Sequence, residues 1–105
     1  AFPEPDTEQG VLLVRIVREA LVNAARHGHA RRAWIDLMTT AEHAILTISN
    51  DGTPPPPAPT EGLGLRQMHM RAALLGGRFQ LSTSPAGGGC LELQLPLVLP
   101  PLPAA

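Results

Sequence analysis

The order of elements in this chain predicts an α+β two-layer sandwich, with helices packed on one face of a mixed, mostly antiparallel sheet. Three observations carry the prediction. Apolar residues recur at helical spacing near the start, two pairs of short strand-like runs each surround a turn, and a second helical stretch lies between the pairs. With 105 residues, 44% hydrophobic and 16% charged, the chain can build one modest core and is too apolar to stay disordered.

Leu12, Leu13, Ile16, Val17, Ala20, Leu21 and Ala24 form the stripe of the first helix, from Val11 onward. It stops at His27-Gly28, where Gly28 is the expected C-terminal cap. Arg32 to Thr40 reads as a strand, with Ile35 and Leu37 alternating against Asp36. Ala44 to Ser49 is its hairpin partner, with Leu46 and Ile48 alternating with Thr47 and Ser49. Asn50-Asp51-Gly52 ends that strand, and Thr53 to Glu61 holds five prolines in nine residues, which excludes helix and central strand. Gly62-Leu63-Gly64 leads into a helix over Leu65 to Leu75, closed by Gly76-Gly77, with Met68, Met70 and Leu75 expected in the core. Arg78 to Thr83 and Cys90 to Leu95 form a second hairpin around Pro85-Ala86-Gly87-Gly88-Gly89. Residues 1–10 read as a lead-in with no obvious cap, 11–96 as the domain, and 97–105 as a proline-rich tail expected to fray. The opening without Met suggests a piece of a longer protein.

Composition removes several functions. A net charge of -1 and a pI near 6.5 supply no basic field for nucleic acid or an anionic membrane surface. All 8 basic residues are Arg, so mechanisms that need an amine are excluded: Walker-type phosphate binding, the lysine of eukaryotic-type kinases and Schiff-base chemistry. The single Cys90 cannot form an intrachain disulfide. The first residues carry Pro3, Glu4, Pro5, Asp6 and Glu8 and no apolar run, unlike an export signal. No stretch reaches the roughly 18 apolar residues of a membrane span.

Three clusters can carry chemistry. Glu19, Asn23 and Arg26 line one stripe of the first helix, beside its apolar face and next to His27. A carboxylate and a carboxamide there offer the hard oxygen atoms that Mg²⁺ prefers, one or two protein ligands being enough when phosphates complete the shell. Gly62-Leu63-Gly64-Leu65 opens a helix, whose free N–H groups can bind phosphate. Asn50-Asp51-Gly52 sits between them in sequence. Taken singly, each is equally an amphipathic helix edge, a flexible turn and an ordinary Asx turn. His29, His43 and His69 show no metal-site spacing.

Their order is more specific. Arg18-Glu19-Ala20-Leu21-Val22-Asn23-Ala24-Ala25-Arg26-His27, then Asn50-Asp51-Gly52, then Gly62-Leu63-Gly64-Leu65-Arg66-Gln67-Met68, then Leu75-Gly76-Gly77 and Gly87-Gly88-Gly89, resembles the ATP-binding domain of bacterial sensor histidine kinases. Within them it is most similar to the subfamily of nitrate and membrane-fluidity sensors, from about Val11 to Pro96.

The resemblance implies the Bergerat (GHKL) fold, N-terminally truncated because the family's first strand region is missing. It implies ATP and Mg²⁺ as ligands. Glu19 and Asn23 become catalytic, Asn23 as Mg²⁺ ligand and Glu19 orienting a water or the ion. Arg26, His27, Gly62, Leu63, Gly64 and Leu65 line the phosphates, and Asn50, Gly52 and Cys90 the adenine, with Thr53 to Glu61 as the ATP lid. The chain departs from the family where Asn50 replaces an Asp, Cys90 a Thr, and Pro54 a Gly. The expected partner is a dimerisation domain bearing the phospho-accepting histidine, and through it a response regulator; neither nucleic acid nor direct membrane contact is expected. The implied location is the cytoplasm, including the cytoplasmic part of a membrane-bound sensor. The alternatives are an anti-sigma-factor-type Ser/Thr kinase on the same fold and a degenerate binding module that no longer uses ATP.

Overall fold

The computed structural model describes residues 7–53 and 63–103. Its elements run α1 (Glu8–Arg26), β1 (Ala33–Thr39), β2 (His43–Asn50), α2 (Leu63–Leu74), β3 (Arg78–Thr83) and β4 (Gly89–Pro96). The strands form one sheet in the order β1-β2-β4-β3. Among the described strands every pairing is antiparallel, so the mixed sheet expected from sequence is antiparallel here.

Helix α1 starts earlier than its apolar stripe. Thr7 is its N-cap, with a hydroxyl that accepts from Gly10 N–H at 3.0 Å, and Glu8 stands in the first turn where the dipole favours an acid. The far end also differs from expectation. His27 is the C-cap, in a right-handed conformation, and the left-handed residue beyond it is His29, at φ 52°, rather than Gly28. Helix α2 does end on a glycine. Gly76, at φ 75°, donates to Ala73 O, and Gly77 donates to Ala72 O, the paired bonds of a Schellman ending.

Both helices cover the same face of the sheet. Ala44, Leu46 and Ile48 of β2 and Leu91, Leu93 and Leu95 of β4 alternate into that layer, meeting Ile16 of α1 and Met68, Ala72 and Leu75 around the second helix. Met70 does not join them: at 63% exposure it lies on the open side of α2, because α2 buries residues 68, 72 and 75 at helical spacing. Strand β1 forms the sheet margin and is exposed along its whole length. Ile35 and Leu37 pair with Ile48 and Leu46 and share their face, yet α1 packs over β2 and α2 over β3, leaving both at the edge of the covered area.

The tail is docked rather than frayed. Leu97 N–H donates to Glu42 O at 3.1 Å, Gln9 Nε2 donates to Pro100 O at 3.3 Å, and Leu99 packs against the core.

Candidate functional site

Strand β2 delivers Asn50 to the end of the sheet where α1 also ends, and backbone contacts bind the two together. Asn23 O accepts from His27 N–H and Gly28 N–H, and Gly28 O accepts from Thr53 N–H at 2.7 Å. Gly52 lies so close to Gly28 that a Cβ on it would overlap the Gly28 carbonyl and Ala30 N. Glycine is needed there for proximity. Asp51 fastens the other side of the junction, its Oδ1 accepting from Arg31 N–H and Arg32 N–H, both at 2.9 Å. Those two bonds favour the ionised form and hold the carboxyl below its ordinary value of 3.8.

The β3–β4 turn closes over Asn50 from the third side. Asn50 Oδ1 accepts from Gly52 N–H at 2.9 Å and Gly89 N–H at 3.3 Å. Ser84, 4% exposed, donates its hydroxyl to Asn50 O at 2.7 Å and accepts from Ala86 N–H. A Cβ on Gly88 would strike Asn50 Oδ1, Asn50 O and Gly52 N. Ser84 and Gly89 were not among the residues the sequence singled out for this site. A lone serine before a proline resembles any turn serine, and Gly89 acts through its backbone.

The sequence-derived candidates fall as follows. Glu19 and Asn23 are half-buried on α1, one turn apart, and neither side chain has a hydrogen-bond or ion-pair partner among the described residues. Arg26 and His27 follow at the exposed end of the same helix. Leu63, Gly64 and Leu65 form the first turn of α2, two residues earlier than expected. Gly62 and the lid from Pro54 to Glu61 lie outside the described residues. Cys90 reaches the same end of the sheet but the wrong face: it alternates with buried Leu91 and pairs with Ser49 and Ser82, away from the helices. A cavity of about 230 Å³ bounded by His43, Gly76, Gly77, Arg78, Gln94 and Pro96 lies at the opposite end of the strands and gathers none of these residues.

Residues 8–99 match the family described as Histidine kinase-, DNA gyrase B-, and HSP90-like ATPase. The chain belongs to this family. Among its relatives it is similar to Sensor histidine kinase LnrJ of Bacillus subtilis, 38% identical over 85 residues, which make up 81% of this chain and 21% of that protein. It is also similar to Nitrate/nitrite sensor protein NarQ of Escherichia coli, 35% identical over 89 residues, 82% of this chain and 16% of that one. Among solved structures, the ATP binding domain of PrrB from Mycobacterium tuberculosis matches with a TM-score of 0.79 at 29% identity, covering 85% of this chain and 69% of that chain. The chain thus spans about a fifth of the length of these sensor kinases. The Bergerat architecture and the likeness to nitrate sensors, both expected from the motif order, are found. Among the described residues no helix is long and apolar enough to cross a membrane.

Proposed function

We propose that this chain is the ATP-binding catalytic domain of a two-component sensor histidine kinase. It would present the γ-phosphoryl group of Mg²⁺-ATP to a histidine on a separate dimerisation domain, from which a response regulator takes it. The observation that carries the reading is the junction just described. One hydrogen-bonded framework ties the end of α1, which carries Glu19 and Asn23, to Asn50 and Gly52 of β2 and to the β3–β4 turn.

In this reading Asn50 and Gly52 meet the base. Gly62, Gly64 and the first turn of α2 meet the phosphates, where free N–H groups suit anions. Arg26 and His27 stand beside them. The donor set fits Mg²⁺: two half-buried side chains with hard oxygen atoms that no side chain among the described residues engages. Asn23 would hold the ion and Glu19 an attached water, and the bound ion would offset phosphate charge. Transfer forms a bond between the acceptor imidazole nitrogen and γ-phosphorus and breaks the bond to the ADP oxygen, the imidazole giving up its proton. Such chemistry rests on position and electrostatics, so a site without Lys is adequate. The side chain of Cys90 has no role in it. Cytoplasmic placement follows from the same proposal.

Calorimetric titration of the chain with ATP, with and without Mg²⁺, tests the reading. Mg²⁺-dependent binding, with no phosphate left on the chain itself, is expected. Absence of binding in both conditions overturns it, as does a base-stable, acid-labile label on this chain alone.

A further inference from the structure

Asn50 is locked in one orientation. Gly52 N–H and Gly89 N–H can only donate, so the group facing them must be the amide oxygen; turned over, the side chain would set its NH₂ against two N–H groups. Gly88 closes on that oxygen with no room for a Cβ, and Ser84 Oγ holds the carbonyl of the same residue. What remains is Nδ2. It has no partner among the described residues, and it is not buried, since no buried side-chain nitrogen or oxygen lacks a partner. The backbone therefore fixes a hydrogen-bond donor at this corner of the site and holds its acceptor half in reserve for the turn.

We propose that this fixed donor selects the purine: the site takes a 6-oxopurine nucleoside triphosphate, such as the inosine or guanosine form, at least as well as ATP. The inference rests on the reading above that Asn50 meets the base, taken here to be at the C6 edge of the purine. Adenine carries an amino group at C6, which donates, and two donors facing each other leave both unsatisfied. Hypoxanthine and guanine carry a carbonyl there, which accepts from Nδ2 directly. A free amide could have turned to suit either base. This one cannot turn without breaking both bonds to the glycines. A carboxylate in its place would keep one oxygen for Gly52 and Gly89 and present the other as a charged acceptor, reversing the preference.

The test is competition binding of ATP, ITP and GTP, each with Mg²⁺, to the wild-type chain and to Asn50→Asp. ITP differs from ATP at the purine C6 and N1 positions and so isolates the contact from the 2-amino group of guanine. Wild type is expected to bind ITP at least as tightly as ATP, and Asn50→Asp to shift the ratio toward ATP by at least about tenfold, because the substitution both unmatches ITP and matches ATP. ATP preferred over ITP by the wild type overturns the proposal, and so does a ratio that Asn50→Asp leaves unmoved. If Asn50→Asp does not fold, the wild-type ratio decides alone. Failure of all three nucleotides to bind either chain removes the nucleotide site itself; binding without the predicted ratio removes only the base preference.

Discussion

Ser84 Oγ donates to the carbonyl of Asn50 at 2.7 Å, across 34 residues of sequence. This bond joins the β3–β4 turn to the end of β2, and the same hydroxyl accepts from Ala86 N–H, so one buried side chain serves both the turn and the strand. Ser84→Ala leaves two backbone groups without that partner. The expected cost is about 1–3 kcal/mol, the range for an unsatisfied buried polar group. Urea unfolding of the variant measures it. Nucleotide affinity is expected to fall as well, because Gly89 N–H approaches Asn50 from the turn that Ser84 anchors. A variant as stable as wild type contradicts this account.

Two neighbouring glycines make a sharper comparison. Gly87 has φ 98° and open space around it, whereas Gly88 is pressed against Asn50 and Gly52 N. Gly87→Ala costs only backbone strain, roughly 1–2 kcal/mol. Gly88→Ala must push the turn off Asn50, and its cost is expected to exceed about 3 kcal/mol, in the range reserved for steric conflict inside a packed site. Thermal unfolding of the two variants side by side settles the order. If Gly87→Ala is the more damaging, conformation rather than contact dominates this turn.

Asp51 gives the junction a pH dependence. Its carboxyl is held below 3.8 by the Arg32 and Arg31 backbone bonds, so the folded state binds this proton less readily than the unfolded chain does. The resulting stabilisation is complete above about 3.8 and is lost as pH falls through the lower folded value. Asp51→Asn keeps an oxygen for Arg31 N–H and Arg32 N–H but has nothing to protonate. Its stability is expected to decline less steeply than that of wild type on acidification below that pH. Parallel slopes for the two proteins, followed by circular dichroism, count against the carboxylate as the titrating group.

Much of this architecture was legible in the sequence because burial imposes a period. The stripe from Leu12 to Ala24 and the alternation of Leu46 and Ile48 each name a face, and with the order of elements they placed both helices on one side of two hairpins. Where no period operates the reading failed. Thr7 caps α1 through a single hydroxyl, ahead of any apolar repeat. Gly28 looked like a left-handed cap, but His29 takes that conformation, and a Cβ on Gly28 would instead press on the Ala24 carbonyl of the last helical turn. The tail reads as proline-rich coil, although Leu99 finds the core. At the site, residue types gave Glu19, Asn23 and Asn50 through the order of motifs. Gly52 came with them, but its bond and that of Gly89 to Asn50 Oδ1 were not legible, because a backbone N–H leaves no mark on residue type, and Ser84 looked like any turn serine. Cys90 lies on the face away from the helices by one residue of strand parity.

Asn23 offers the last test, and it separates stability from function. Its backbone carbonyl accepts from His27 N–H and Gly28 N–H and stays in place whatever the side chain. The carboxamide is half-buried and has no partner among the described residues. Asn23→Ala therefore leaves no polar group stranded, and alanine favours the helix slightly more than asparagine does. The change in stability should stay under about 1 kcal/mol in either direction. Binding behaves differently if the side chain is a Mg²⁺ ligand. The variant is expected to keep a weak, Mg²⁺-independent affinity for ATP and to lose the increase that Mg²⁺ is expected to bring to wild type, because the residues of β2 proposed to meet the base are untouched. Titration with ATP at several Mg²⁺ concentrations, alongside a melting curve, reads both quantities on one preparation. An unchanged Mg²⁺ effect would assign the ion to another donor on this helix, with Glu19 one turn away the residue to substitute next.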